Sequence, residues 1–259
     1  MYATNYFESL MLNLMRSQSI TAPSGLYLAL FLSNPGDDGT SGTEITYSGY
    51  QRMPVTFSAP TASGSGLMIT NSALITFAES TVSAGTVTYV AVYDSQSGGN
   101  MWLYGQLDNP LNVQSGVSPV FRAGSVSWIW SGNLSEYYRR AIMNTLRGTS
   151  CSGFTPYIAL CNGDPTQSGS EFSGNNYARF SVTMSAPAQQ SSGTALSQNT
   201  ADVISPISTG SWGTLNTIAI CDASSAGNVF AIGSLSTSYT INNGYSVTIP
   251  AGNLQVNVN

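Results

Sequence analysis

Apolar residues recur along this chain in two rhythms. Near the start, Phe7, Leu10, Met11 and Leu14 fall at three- and four-residue steps, the period of an amphipathic helix. Asn5 stands where an N-cap is expected, and Glu8 follows at the capping-box position. A second helix is predicted after Ser135, where Tyr138, Ile142, Met143 and Leu146 draw the same stripe. Elsewhere, short apolar runs are separated by Gly and Asn turns at roughly 8–12-residue spacing, the pattern of a β-sandwich. It predicts strands over 55–57, 74–77, 87–93, 101–107 and 120–128. Tyr27, Ala29, Val90, Val92 and Leu103 are expected in strands, as are Tyr157, Ala159, Ile218, Ile220 and Ala231, with alternate residues buried.

The pattern occurs twice. GTVTYVAVYDSQSGGNMWLYGQL, from Gly85, returns as GTLNTIAICDASSAGNVFAIGSL, from Gly213, about 128 residues later. Tyr50 and Arg52 return as Tyr177 and Arg179, and Asn34-Pro35 as Asp164-Pro165. The expected architecture is therefore mainly β: two tandem β-sandwich domains, residues 1–132 and 133–259, each preceded by a short α-helix. Each half has an ordinary single-domain size.

Composition narrows the chemistry. Charged residues make up 7% of the 259, against about 25% in a typical globular protein. All seven cations are Arg, there is no His or Lys, and the net charge is −5. Without His or Lys there is no Ser-His-Asp or Cys-His machinery, no His-ligated metal, no Schiff base and no P-loop lysine. Seven Arg on an acidic chain give little basis for binding nucleic acid. Residues 1–16 read as neither a signal peptide nor a membrane span, so no membrane insertion is expected. Cys151, Cys161 and Cys221 form no framework spacing and read as core thiols.

Few polar residues invite a functional reading. Asp37 and Asp38, with Glu44 nearby, offer oxygen ligands in a Gly-rich loop, but the spacing is not that of an EF-hand, and a solvated turn is expected. Glu44 and Arg52, matched by Glu171 and Arg179, are retained in both copies of a charge-poor chain. They are expected to form structural ion pairs within each repeat, anchoring a long loop to a strand. As exposed pairs they would contribute only about 0–1 kcal/mol, so loss of Arg52 should loosen the loop more than unfold the domain. Asp94 and Asp222 open matching turns and read as turn residues. The four Trp fall in or beside strand-like runs and read as core, the alternative being sugar-stacking platforms. No catalytic, cofactor-binding or metal-binding residue is singled out, and no cofactor is expected.

NYFESLMLNLM, GLYLALFLSNPGDDGTSGTEITYSGYQRMPVTF and the closing GTVTYVAVYD, GGNMWLYGQL and AGSVSW segments together resemble a family of small tailed-phage virion proteins, tail-fibre-like or decoration-type β modules. Here the module is present as a tandem duplication. The second copy departs at the loop, where Asp37, Asp38 and Gly39 have no clear counterparts. The resemblance implies a non-enzymatic virion structural protein, made in the host cytoplasm and bound to other virion proteins of capsid or tail. Its role would be that of a capsid-decorating (cement) or a tail- or fibre-associated protein; the alternative is a receptor- or glycan-binding module. Few charges protect the edge strands or oppose association, so a symmetric homo-oligomer is expected, with a trimer suggested by analogy.

Overall fold

The computed structural model of the chain describes residues 1–190 and 193–259. The first repeat runs β1 (Tyr2–Ala3), α1 (Asn5–Asn13), β2 (Tyr27–Phe31), β3 (Met53–Pro54), β4 (Thr61–Ser63), β5 (Gly66–Thr70), β6 (Ile75–Thr76), β7 (Gly85–Tyr93), β8 (Met101–Val113), β9 (Val120–Phe121) and β10 (Ser127–Trp130). The second repeats this order from α2 (Glu136–Thr145): β11 (Tyr157–Cys161), β12 (Phe180–Ser181), β13 (Ala188–Gln190), β14 (Thr194–Gln198), β15 (Val203–Ile204), β16 (Gly213–Cys221), β17 (Val229–Ile241), β18 (Thr248–Ile249) and β19 (Gln255–Val258).

Pairing is antiparallel throughout. The first repeat has sheets ordered β1-β8-β7-β2-β3, β10-β5-β4 and β6-β9. The second has their counterparts, β12-β11-β16-β17, β13-β14-β19 and β15-β18. Where β1 lines the edge of β8, the second repeat makes a single bridge, Leu134 to Ala231. The structure is thus two copies of one mainly β arrangement.

Both helices are capped by a hydroxyl one residue before the first helical turn. Thr4 Oγ1 accepts from the Phe7 amide, and Ser135 Oγ from the Tyr138 amide. The cap of α1 is therefore Thr4 rather than Asn5, because the β-branched hydroxyl already sits in extended backbone at the end of β1. Glu8 then falls one position too late for a capping box and turns into the core.

The helices explain why the two repeats are one body. α1 packs on β14 and β19 of the second repeat, and α2 packs on β5 of the first. Gln189 Nε2 donates to Asn5 O, and Arg140 Nη1 donates to Pro60 O at 2.7 Å. Between the helices and the following strands the chains cross reciprocally. Ile20 and Cys151 exchange both backbone hydrogen bonds, at 2.8 and 3.0 Å. Around them the Ala22 amide donates to Ser150 Oγ, and the Gly153 amide donates to Ser19 Oγ. These contacts repeat under exchange of the halves, so the repeats meet through a pseudo-two-fold, isologous interface. One continuous apolar core runs through both, from Phe7, Trp102 and Trp128 to Ile158, Phe230 and Val256.

The central strands differ from the expected alternation. Leu28, Ala29, Leu30 and Phe31 are all buried, as are Val90 to Tyr93. Leu28, Leu30, Val90 and Val92 face the main core, whereas Ala29, Phe31, Ala91, Tyr93 and Met101 form a second, outer cluster. Its counterpart in the second repeat is Ala159, Cys161, Ala219 and Cys221. Where these clusters form, both faces of the sheet are buried. The long hairpin β7–β8 extends to Val113, and the predicted strand over 120–128 is broken into β9 and β10.

Candidate functional site: paired loop clamps and an inter-repeat carboxyl

In each repeat a loop leaves the first core strand and returns beside it. In the first, Leu32 N donates to Thr43 O and Ile45 N to Leu30 O, which delivers Glu44 to the sheet edge opposite Phe31. Arg52 Nε lies 3.0 Å from Glu44 Oε1 and Nη2 lies 2.8 Å from Oε2, a two-pronged contact. The remaining guanidinium nitrogen, Nη1, donates to Gly98 O and Ser95 O in the β7–β8 turn. The guanidinium carbon stands 3.5 Å from the centre of the Tyr93 ring, a cation–π contact. Tyr50 completes the clamp: its hydroxyl donates to Glu44 Oε1 at 2.9 Å and accepts from the Leu30 amide at 3.0 Å.

The second repeat builds the same clamp. Arg179 Nε and Nη2 reach Glu171 at 2.8 and 2.7 Å, Nη1 reaches Ala223 O and Ala226 O, and the Tyr177 hydroxyl bridges Glu171 and the Leu160 amide. Cys221 takes the place of Tyr93, so the stacking partner is absent there. The tyrosines are the members that sequence reasoning missed. The recurrence of Tyr50 and Tyr177 just before each arginine was the available signal.

Arg52 is almost fully enclosed, not solvent-exposed as the sequence-based estimate assumed. Its removal leaves the half-buried Glu44 without its cation and two carbonyls without their donor. Arg52→Ala is therefore expected to destabilise the protein by about 3 kcal/mol, well beyond a surface pair. It should also raise amide exchange across 35–44 in hydrogen–deuterium measurements; an unchanged exchange pattern would show that the clamp does not hold the loop.

The other polar candidates serve local structure. Asp38 caps Thr40 through amide and hydroxyl, which draws its carboxyl below the ordinary range. Asp164 accepts from the Thr166 amide and hydroxyl and from Gln167 Nε2. Asp94 and Asp222 each close their turn by accepting from an Asn amide and side chain, Asn100 and Asn228. Asp94 also accepts from Trp102 Nε1, and Asp222 from the hydroxyl of Tyr138 on α2. Among the described residues no group of three His, Cys, Asp or Glu side chains could hold a metal ion. The cysteines are buried free thiols, and burial pushes them up, Cys161 to about 12 and Cys151 and Cys221 to about 11. They are poor nucleophiles at neutral pH. All four tryptophans are buried, which leaves none as an exposed sugar platform.

One acidic group stands apart. Glu8, on α1, is fully buried where the helix meets β14, and neither carboxyl oxygen has a hydrogen-bond partner among the described residues. Burial, then the neighbouring Asp37, pushes it up to about 8; the Ala195 amide, which faces it without completing a hydrogen bond, opposes the shift. Asp37 is raised for the same reasons, burial first and then Asp38, and its Oδ1 is also unpartnered. The long loop of the first repeat reaches this place because the Asn5 amide donates to Asp37 O. The shorter loop after Asp164 leaves the equivalent position at α2 as an open polar cleft of about 730 Å³, lined by Asn133, Glu136, Tyr137 and Gln167 among others.

The clamp residues and the turn aspartates hold loops in both repeats. Residues 2–129 and 133–257 each match the family of the podophage GP4 fiber I protein gp80, and the chain belongs to that family. No curated protein matches it. Among the described residues no helix is long and apolar enough to cross a membrane.

Proposed function

We propose that the protein is a non-enzymatic component of the virion's tail-fibre apparatus, assembled from chains made in the host cytoplasm. It works as a static adaptor: a homo-oligomer, with the trimer as its expected order, that other virion proteins grip by shape and hydrogen bonds, without a cofactor. The observation that carries this reading is the use of the charged groups. Glu44 with Arg52 and Glu171 with Arg179 are consumed in closed clamps, while the surface is left rich in uncharged polar side chains and exposed tyrosines. Charge-depleted, Tyr-bearing surfaces suit lasting protein contacts. Capsid decoration and a receptor- or glycan-binding role are the competing assignments.

Cryo-electron microscopy of intact particles carrying the wild-type protein, with antibody labelling, tests the proposal. Density for the two-repeat body at the tail is the expected result. The same density on the capsid lattice would replace the fibre role with decoration. Absence of the protein from purified virions would overturn both.

A further inference from the structure

The two repeats differ at the loop that follows the first core strand. Between the bridges Phe31–Glu44 and Cys161–Glu171 the first repeat spans residues 32–43 and the second only 162–170, three residues fewer. In the first repeat the extra length crosses the start of α1. The Asn5 amide, first of the helix, donates to Asp37 O at 3.1 Å. Gly39 lies over the first residue of β8, where an added Cβ would stand 3.3 Å from Met101 Cε. The same loop sets the Asp37 carboxyl near that of Glu8.

In the second repeat the matching positions are uncovered. α2 begins at Glu136, whose amide has no carbonyl acceptor among the described residues. Val229 stands where Met101 stands in the first repeat, and it is half-buried rather than buried. Tyr137 is 56% exposed, against 37% for its counterpart Tyr6. All three line the open cleft of about 730 Å³. Counting from the helix caps, Arg139 takes the place of Glu8, and it lines the cleft as well. Its Nη1 donates to Ser65 O and Trp130 O, but its Nε is buried without a partner among the described residues. The cleft thus keeps the helix amide that a peptide carbonyl meets in the first repeat, and it offers a cation where the first repeat has a carboxyl.

We propose that this cleft docks an acidic surface turn of another virion protein, whose main-chain carbonyl accepts from the Glu136 amide and whose carboxylate meets Arg139. This rests on the virion-component reading above and names the chemistry of the partner. The occupant is a peptide turn because the molecule itself seats one at the matching place, Gly36-Asp37-Asp38-Gly39, held to the helix by that main-chain bond. Charge adds to the argument. Asp37 enters against Glu8, whereas an incoming aspartate would meet a guanidinium and gain a charge-assisted hydrogen bond. The cleft's own acids are already engaged: Glu136 pairs with Arg140, and Asp164 accepts from Thr166 and Gln167. The first copy of the module is therefore closed by its own loop, and the second is left open to a partner's.

The test is calorimetric titration of the full-length protein with a cyclised peptide of residues 33–44, SNPGDDGTSGTE, the first repeat's own loop. One site per chain is expected. Glu136→Pro removes the amide and keeps the helix, because proline is tolerated at the first helical position and Ser135 before it is already extended. It is expected to weaken binding at least tenfold. Arg139→Gln in the protein and Asp37→Asn in the peptide should each do the same, since each removes a charge-assisted hydrogen bond. Inserting Gly-Asp-Asp after Pro165 gives the second loop the length of the first and should abolish binding; circular dichroism verifies that each variant is folded. A peptide that does not bind wild type, or that binds wild type and variants alike, would overturn the proposal. Glycans captured from an array by wild type and lost in Glu136→Pro would give the cleft to a sugar and overturn the peptide reading. None of these outcomes moves the protein's place on the virion, which microscopy reads separately.

Discussion

Phe7→Ala is expected to lower the stability of the whole chain by about 3–5 kcal/mol and to do so in a single unfolding transition. Phe7 is fully buried on α1. Its ring lies 4.8 Å from that of Trp102 and 5.7 Å from that of Trp128, so truncation opens a cavity beside two large side chains. Those tryptophans belong to the first repeat, but the helix carrying Phe7 is pressed between them and β14 and β19 of the second. A cavity there loosens both halves at once. Urea unfolding followed by tryptophan fluorescence and far-ultraviolet circular dichroism provides the measurement. Coincident transitions shifted together are expected. Two separate transitions, with only one moved, would show that the repeats are independent and that the helix exchange contributes little.

That exchange was not legible in the sequence, and the reason is physical. Periodicity tells which face of a helix is apolar, and Phe7, Met11 and Leu14 announced it clearly. It does not tell which sheet the face will meet. Duplicated halves offer each helix two nearly identical sheets, and the choice is made by the crossing at Ile20 and Cys151, whose backbone hydrogen bonds leave no side-chain signature. The strands were readable because both copies share their turns and apolar runs. Their two-sided burial was less so: alternation describes a sheet with one wet face, whereas β2 and the end of β7 bury residues on both faces. At the clamps, Glu44 and Arg52 stood out because charge is scarce. The Tyr50 hydroxyl did not, since tyrosines are common in this chain and its role depends on the path of a loop.

Glu8 shows the opposite failure, a residue with a plausible helix-capping role that the fold puts elsewhere, and it makes the stability of the repeat joint depend on pH. Its carboxyl titrates near its ordinary 4.5 when the chain is unfolded and at about 8 when folded. Between those values the folded state holds a proton that the unfolded state has released, so stability is complete below about pH 4.5 and falls as pH rises towards 8. Asp37, raised in the same direction, adds to the slope. At about 1.4 kcal/mol per pKa unit, the Glu8 shift sets an upper value of roughly 5 kcal/mol. The difference between wild type and Glu8→Gln isolates this contribution from other titrating groups, because the amide is neutral at every pH. The two proteins should be similarly stable near pH 4.5, and the variant should be more stable by several kcal/mol at pH 9. Urea titrations across that range are the check; parallel pH profiles would mean that Glu8 is not held as a buried acid. The physical logic is that an uncharged carboxyl can be sealed between α1 and β14, whereas a carboxylate beside Asp37, with no cation at hand, pushes the two repeats apart.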